Sequence, residues 1–258
     1  MAHLYYDSGL IGASIKPGKT LTLTGEEARH AVTVARLRAG EQVYLGDTDG
    51  RIATVQVTKV LPGKNPLFHA EVLSVRTVTK HPVELVLAQA LVKGGRDEMA
   101  VQQSTEFGVN QILPWRAQRS VVQWQDCAKV DKMLTKWQKI TREASKQSLR
   151  ARVPKVHKLH SPKQLAQLAA DEHTLVLVLD PWQNLRLSNE LVGLGEAGLK
   201  HYSRIVFAIG PEGGITESEL QLFADHGARA VTVGETVLRS ASAAAAALAV
   251  CNLALGVW

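Results

Sequence analysis

The sequence is poor in cysteine. Its 258 residues include only Cys127 and Cys251, which share no close spacing with each other or with a pair of histidines. Neither a disulfide framework nor a zinc site is therefore expected, and no metal is predicted. Two unpaired thiols are typical of a protein that stays in a reducing compartment.

Leader-like and membrane-spanning segments are also lacking. The amino-terminal residues do not show a basic stretch followed by a long apolar one, so no signal peptide is expected. The most apolar segment, residues 241–258, is mostly alanine and contains Asn252, which favours a buried helix over a membrane span. We therefore expect a cytoplasmic protein with no membrane partner.

The common phosphate-binding motifs are missing from the most glycine-rich loop. That loop lies in "IGPEGGITESEL", residues 209–220, and carries neither the lysine of a Walker loop nor the Gly-x-Gly-x-x-Gly spacing of a dinucleotide site. Its carboxylate, Glu212, would repel phosphate, so a neutral or cationic ligand fits better. The glycines alone are equally consistent with a tight strand-to-helix turn that binds nothing.

Positive charge is present but concentrated. The formal net charge is +6, with a pI of about 9.4. Residues 116–158 contain twelve Lys or Arg against three acidic residues, so the rest of the chain is net negative. Six of these cations follow helical steps of three and four residues: Lys129, Lys132, Lys136, Lys139, Lys146 and Arg150. Such a stripe is usually a solvated helix face, but the net negative charge of the rest of the chain raises the case for contact with the phosphate backbone of a nucleic acid.

Two regions differ in their hydrophobic pattern. Residues 1–76 show short strands and turns, including a hairpin around Asp49-Gly50 and a helical segment over residues 26–38, typical of a small β-barrel-like domain. Residues 77–258 alternate apolar strands with helices, which predicts an α/β domain with a mainly parallel sheet covered on both faces.

Three strands of the second region end in unusual residues. "RIVFAIG" ends at Gly210, and Thr216 with Glu219 forms a capping box that starts a helix, which should end at His226-Gly227. "LVLVLD" ends at Asp180, and a third strand ends at Gly234. Because parallel sheets bind ligands at the carboxyl ends of their strands, these turns are expected to share one pocket.

An alanine-rich helix follows the third of these strands. We expect Ser240 or Ser242 to cap it. The lack of a bulky face indicates close packing against another backbone, within the chain or across a subunit interface, although high helix propensity alone would also explain the alanines.

Several segments together resemble the RsmE family of small-subunit ribosomal RNA uridine-N3 methyltransferases. They are "IGPEGGITESEL", "VGETVLRSASAAAAAL", "KGGRDEMAVQQSTEFGVNQILPWRAQRSVV", "REASKQSLRARVP" and "HAVTVARLRAGEQV", in the family's order along nearly the whole chain. The resemblance implies a carboxyl-terminal α/β trefoil knot of the SPOUT superfamily over residues 77–258. It also implies an RNA-binding β-barrel of PUA type over residues 1–76.

The chain departs from the family at two places. Ser240-Ala241-Ser242-Ala243 stands where the family usually has Thr-Glu-Thr-Ala, so a role for that glutamate does not transfer. His3 stands near the position of a frequent amino-terminal arginine, which removes one expected RNA contact.

The resemblance also implies the cofactor and partners. S-adenosylmethionine, which is cationic and carries no phosphate, would lie among three loops, and the chain would act on 16S ribosomal RNA as a homodimer. The matching cofactor positions are Leu179, Gly210, Glu212, Gly213, Val233, Gly234, Val237 and Leu238. Arg36 and Arg38 of the first domain join the basic stripe as candidate RNA contacts.

Methylation at uridine N3 suggests roles for two side chains. Loss of the N3 proton spreads negative charge onto the flanking carbonyl oxygens, which Arg239 is placed to stabilise, unless it forms a salt bridge with Glu235 instead. Glu212 either accepts the proton or holds its loop by bonding backbone amides, and the second role is favoured.

Two other functions remain open on sequence grounds. One is a non-catalytic RNA-binding assembly factor with the same fold, favoured only by the altered Thr-Glu-Thr segment. The other is a nucleotide-binding α/β enzyme, which the missing Walker lysine and acidic metal ligands disfavour.

Overall fold

A computed structural model describes residues 3–7, 9 and 15–258. Part of the amino-terminal segment in which no signal peptide is expected lies outside these described residues. The chain divides into two compact units: Met1–Lys80 with Ser145–Val153, and His81–Ala144 with Pro154–Trp258.

The first unit is built on a five-stranded sheet. Its strands are β1 (Leu4–Tyr6), β2 (Thr20–Leu23), β3 (Gln42–Gly46), β4 (Arg51–Leu61) and β5 (Leu67–Thr77), in the order β1-β3-β4-β5-β2. β1 pairs with β3 in parallel and the other pairs are antiparallel. The hairpin predicted around Asp49-Gly50 is confirmed, because β3 and β4 pair across this turn. One side of the sheet buries a core that includes Tyr5, Leu45 and Phe68.

The helical segment of this unit is shorter than predicted. Helix α1 (Gly25–Arg29) continues as a π-helical turn over His30–Val34, and the helical backbone ends there. Arg36 then adopts a positive φ of 55°, which a continuing helix does not allow. The β-branched run Val32-Thr33-Val34 explains the weak helix, since such side chains lose rotamer freedom against the preceding turn.

The second unit contains a six-stranded, fully parallel sheet. Its strands are β6 (Glu84–Ala90), β7 (Gln111–Trp115), β8 (Lys155–Val156), β9 (Thr174–Leu179), β10 (Arg204–Ile209) and β11 (Arg229–Val231). Their order is β11-β9-β10-β6-β7-β8. The carboxyl ends of β11, β9 and β10 therefore lie side by side at one edge of the sheet.

Helices cover this sheet on both sides. They are α2 (Arg96–Glu106), α3 (Cys127–Gln147), α4 (Pro162–Ala166), α5 (Leu187–Leu199), α6 (Glu217–Asp225) and α7 (Ser240–Ala254), with a 3-10 turn at Gln167–Ala170. Alternate residues of β10 enter different hydrophobic cores: Ile205 and Phe207 one, Val206 and Ala208 the other. The predicted parallel sheet with both faces buried is confirmed.

Local chemistry sets the limits of α6 as predicted. The Thr216 hydroxyl accepts a hydrogen bond from the Glu219 amide, and the Glu219 carboxylate accepts one from the Thr216 amide. The helix ends at His226, after which Gly227 adopts a positive φ of 96°.

The alanine-rich helix α7 packs inside the second unit. Ala244 and Ala247 are fully buried in the core shared with α5 and β10, and the Asn252 side chain donates a 2.8 Å hydrogen bond to the Phe107 carbonyl at the end of α2. Small side chains thus let α7 approach its neighbours closely. The predicted serine cap is wrong, because Arg239 is the N-cap residue and makes no capping bond with its side chain. Among helices in the described part of the chain, none has both the length and the apolarity that a membrane crossing requires.

Candidate functional site

A cavity of about 410 Å³ opens where β9, β10 and β11 end. Three loops surround it: residues 180–186 after β9, residues 210–216 after β10, and residues 232–239 after β11. We call it the strand-end cavity. The structure brings most of the predicted cofactor residues to its wall, namely Leu179, Gly210, Glu212, Gly213, Val233, Val237 and Leu238. Gly234, also predicted, does not line it, and a Cβ built there would meet no atom within 4 Å.

The inner wall of the strand-end cavity is apolar. It includes Ile209 and Ile215, both buried, beside Leu179 and Ala243. Gly210 lies against this wall so closely that a Cβ at its position would be 2.7 Å from Cγ1 of Ile215. Only glycine therefore leaves both the loop and the wall in place, and an apolar ligand surface fits against it.

One loop of the cavity offers free backbone donors. Within the described part of the chain, the amides of residues 235–238 donate no hydrogen bond to a protein acceptor. Thr236, Val237 and Leu238 line the cavity. These donors are available to a ligand without any movement of the chain.

Glu212 is tied to the segment before α2. Its Oε1 accepts hydrogen bonds from the Lys93 amide at 3.2 Å and from the Arg96 guanidinium at 3.1 Å. The Arg96 and Glu212 side chains are 49% and 35% exposed, so this ion pair contributes at most about 1 kcal/mol. The geometry connects two loops of one unit, as expected for a carboxylate that holds its loop.

A buried carboxylate, that of Asp97, forms hydrogen bonds with the backbone on either side of this segment. Asp97, at the first turn of α2, is almost fully buried, and burial raises the pKa of its carboxyl above the usual value. The carboxylate accepts hydrogen bonds from the backbone of Glu98 and Val92, which oppose that shift. These bonds fix the residues that lead into Lys93.

Arg239 lies at the cavity wall with its guanidinium unpaired. It is exposed and, over residues 3–7, 9 and 15–258, forms no hydrogen bond or ion pair through its side chain. The alternative of a salt bridge with Glu235 is wrong, because Glu235 pairs with Arg186 at 3.1 Å. Arg239 is thus free to meet a ligand.

Several residues at the cavity were not predicted as site residues. Arg119 donates a 3.0 Å hydrogen bond to the Gly213 carbonyl, and a Cβ on Gly213 would come within 3.1 Å of its Cβ. Arg96, Trp182 and Thr236 also line the cavity. Arg96 and Arg119 both lie in the segment over residues 93–122 already noted for family resemblance, whereas no local pattern marks Trp182.

The predicted RNA contacts fall into two groups. Arg36 and Arg38 are exposed in the first unit, and Lys129, Lys132, Lys136 and Lys139 are exposed on α3, where Lys136 also pairs with Glu98.

Lys146 and Arg150 differ from the other cations of the predicted stripe, because packing covers their side chains. The Lys146 ammonium lies 3.4 Å from the Glu27 carboxylate with little exposure, and burial lowers the pKa of Arg150 to about 10. Both belong to the segment that packs with the first unit. Helical spacing identified the stripe but not the part of it that packing covers, so we exclude these two from the RNA surface.

Thiol and metal chemistry find no support at the described residues. Burial raises the pKa of the Cys251 thiol to about 12, so it stays protonated at neutral pH. Within the described residues, no three His, Cys, Asp or Glu side chains are grouped so as to hold a metal ion.

Known domain families match both parts of the chain. An RNA methyltransferase domain matches residues 79–252, and an RNA methyltransferase PUA domain matches residues 23–68. The chain is 38% identical to ribosomal RNA small subunit methyltransferase E of Mycobacterium bovis, over 93% of this chain and 89% of the relative. It is 30% identical to the Bacillus subtilis protein of the same name, over 89% and 88%.

Solved structures agree in fold. A ribosomal RNA small subunit methyltransferase E from Neisseria gonorrhoeae bound to S-adenosyl methionine has a TM-score of 0.80 and 29% identity, with 98% of each chain covered. A Legionella pneumophila methyltransferase in complex with the cofactor SAM has a TM-score of 0.79, 29% identity and the same coverage. The predicted SPOUT-type α/β domain with an amino-terminal PUA-like domain is confirmed.

Proposed function

The chain belongs to the ribosomal RNA small subunit methyltransferase E family, and we propose that it methylates N3 of a uridine in 16S ribosomal RNA, with S-adenosylmethionine as the methyl donor. The observation that carries this proposal is the strand-end cavity. Where three adjacent strands end, it combines an apolar wall with backbone amides and a guanidinium that have no partner in the described part of the chain.

The residues of the cavity fit the cofactor. Its volume lies within the range of about 300–1,000 Å³ that is usual for small-molecule sites. The apolar wall at Ile209 and Ile215 suits the adenine, and the amides of residues 236–238, which donate to no protein acceptor within the described residues, suit its polar edge. The Asp180 carboxylate, which forms no ion pair within the described residues, favours a cation nearby, whereas the charge of Glu212 is met by Arg96. When bound, S-adenosylmethionine supplies a methyl group activated by its sulfonium.

Arg239 is the proposed catalytic cation. As the N3 proton leaves, negative charge develops on the carbonyl oxygens at either side of the nitrogen. A guanidinium that has no partner among the described residues can donate hydrogen bonds to one of these oxygens from the side, which leaves N3 open to the methyl donor and stabilises the transition state more than the neutral base. Glu212, in contrast, is engaged with Lys93 and Arg96, so we assign it to holding the loop, and the N3 proton passes to solvent.

Glu212→Gln tests this assignment. Glutamine keeps an oxygen that accepts from the Lys93 amide but cannot take up a proton. We therefore expect kcat to stay within about fivefold of the wild type, with an unchanged pH profile. A general base contributes about a hundred- to ten-thousandfold, so a loss of that size in steady-state kinetics, together with loss of the acidic limb of the pH profile, would make Glu212 the base.

The proposed function is tested by methyl transfer to small ribosomal subunits that lack the modification. Labelled S-adenosylmethionine is the donor, and the digested RNA is analysed as nucleosides. We expect label in N3-methyluridine at a single position. Label in another nucleoside would contradict the assignment. If no label is transferred and calorimetry detects no cofactor binding, the chain is instead a non-catalytic assembly factor.

We further propose that the first unit and α3 bind the RNA backbone while the second unit carries the cofactor. Exposed cations support this: Arg36, Arg38, Lys129, Lys132, Lys136 and Lys139. The substrate implies a cytoplasmic location. The family resemblance implies a homodimer, and the exposed apolar residues Leu253, Val257 and Trp258 at the end of the chain are compatible with one. Sedimentation of the purified protein tests the dimer.

Removing charge from α3 tests the RNA surface. Each lost phosphate contact lowers the slope of log binding constant against log salt by about 0.7–0.9. We expect the double variant Lys132→Ala/Lys139→Ala to lower that slope by roughly one to two, measured by fluorescence anisotropy with a 16S fragment. Lys163→Ala/Lys200→Ala, which removes two exposed lysines outside the basic stretch, is the matched control and should keep the wild-type slope. Equal slopes for both double variants would exclude α3 from the interface.

A further inference from the structure

Trp182 differs sharply from the buried tryptophans. Trp115, Trp124 and Trp137 are at most 1% exposed and belong to hydrophobic cores. Trp182 is 81% exposed, the highest value among the large hydrophobic side chains of the described residues. Leaving an indole in water forgoes a large gain from burial, so an exposed tryptophan at a cavity points to a ligand that covers it.

The turn that carries Trp182 is held firmly. Asp180 is buried, and its amide donates a 3.0 Å hydrogen bond to the Val231 carbonyl of the neighbouring strand. Its carboxylate accepts a 2.6 Å hydrogen bond from the Gln183 side chain, which closes the turn around Trp182. Pro181 restricts the backbone between them. The backbone that carries the indole is therefore held in place, as a preorganised recognition surface requires.

Trp182 stands at the strand-end cavity together with the candidate catalytic cation. The same cavity is lined by Arg239, and by Arg96 and Arg119 beside the glycine loop. An exposed aromatic face next to three guanidinium groups offers stacking for a base and positive charge for its phosphates. The buried apolar wall at Ile209 and Ile215 lies deeper, so the two surfaces suit two different ligands.

A uridine that is methylated at N3 must leave its base pair, because N3 lies on the Watson–Crick edge. Extrusion costs the base its stacking, and enzymes of this kind replace the lost contact with aromatic or apolar side chains. We propose that Trp182 is the stacking surface for the extruded pyrimidine and holds it with its N3 edge toward the cofactor side of the cavity. This inference rests on the proposed function and adds a substrate-positioning residue to it.

Trp182→Ala tests the proposal in methyl transfer to undermethylated small subunits. Stacking of a base on an aromatic side chain is worth about five- to a hundredfold in binding. We expect kcat/KM for RNA to fall by that factor while the calorimetric affinity for S-adenosylmethionine stays unchanged. Trp182→Phe keeps an aromatic face and should restore most of the activity. Val192→Ala removes another strongly exposed apolar side chain, which lies on α5 and does not line the cavity, and should retain wild-type kcat/KM.

Three outcomes would overturn the proposal. An unchanged kcat/KM in Trp182→Ala excludes stacking on this residue. A parallel loss of cofactor affinity assigns the indole to S-adenosylmethionine. Dissociation of a dimer in sedimentation, with full activity recovered at high protein concentration, shows that a second copy of the chain covers it.

A binding measurement separates this proposal from the proposed function. In a Trp258→Phe background, the remaining tryptophans other than Trp182 are buried, so quenching by RNA reports on Trp182. We expect a uridine-containing single strand to quench this fluorescence and an abasic strand of the same length to leave it unchanged. If the wild type transfers no methyl group but quenching occurs, only the proposed function fails. Equal signals with both strands overturn the stacking role whatever the activity.

Discussion

Arg239→Ala is expected to lower kcat by about a hundred- to a thousandfold while leaving the dissociation constant for S-adenosylmethionine within about twofold. The magnitude is that of one donor removed from a developing oxyanion. The expectation follows from position, since Arg239 lines the strand-end cavity and its guanidinium has no partner among the described residues. Its loss therefore breaks no hydrogen bond or ion pair within the described residues, and the effect should be confined to the chemical step.

Single-turnover kinetics with saturating cofactor measures the effect directly. Arg239→Lys should recover only part of the rate, because an ammonium is more strongly hydrated and lacks the planar set of N–H donors with which a guanidinium meets a carbonyl oxygen. Arg229→Ala is the matched control: this arginine lies on β11, pairs with Glu190 and does not line the cavity, so kcat should be unchanged. A variant of Arg239 with normal kcat and weakened cofactor binding would refute the electrostatic role.

Gly210→Ala is expected to weaken S-adenosylmethionine binding about ten- to a hundredfold. The added Cβ would lie 2.7 Å from Cγ1 and 3.3 Å from Cδ1 of Ile215, which is buried in the wall of the cavity. Either the Gly210 loop or the Ile215 side chain must move, and the strain of such overpacking is roughly 1–3 kcal/mol. Displacement of Ile215 narrows the space for the ligand.

Isothermal calorimetry checks this expectation, with thermal unfolding to show that the variant is folded. Gly193→Ala is the control, since a Cβ in that helix meets no atom within 4 Å. It should keep the wild-type affinity and raise the stability slightly, as alanine does in a helix. An unchanged cofactor affinity in Gly210→Ala would mean that the ligand does not lie against the wall formed by Ile215.

Local features of the structure could be predicted because they depend on neighbouring residues. The capping box of Thr216 and Glu219, the stop at His226-Gly227 and the hairpin at Asp49-Gly50 each involve side chains within a few positions of one another. The alternation of buried strands and helices likewise predicted the parallel sheet. The local rule for helix caps failed at α7. This helix begins after Arg239, and no side chain caps it.

The cavity was predicted only in part. Its glycine and valine loops were expected because they follow apolar strands directly. Arg119 and Arg96 were not, since they meet the Gly210 loop across 94 and 116 positions of sequence. Long-range packing also removes Lys146 and Arg150 from the predicted RNA surface. Periodicity defines a helix face but not which part of that face the rest of the chain covers.

Residue pattern and turn chemistry thus suffice for the fold class and the three loops that bound the site, because hydrophobic period, capping and glycine flexibility act over a few bonds. The family came from the resemblance of several motifs in their order along the chain. The pairing of Glu212 with Arg96, the free guanidinium of Arg239 and the exposure of Trp182 depend on the strand order β11-β9-β10-β6. That order places distant residues within a few ångströms of each other. Such proximity results from packing of the whole sheet, and no short stretch of sequence contains it.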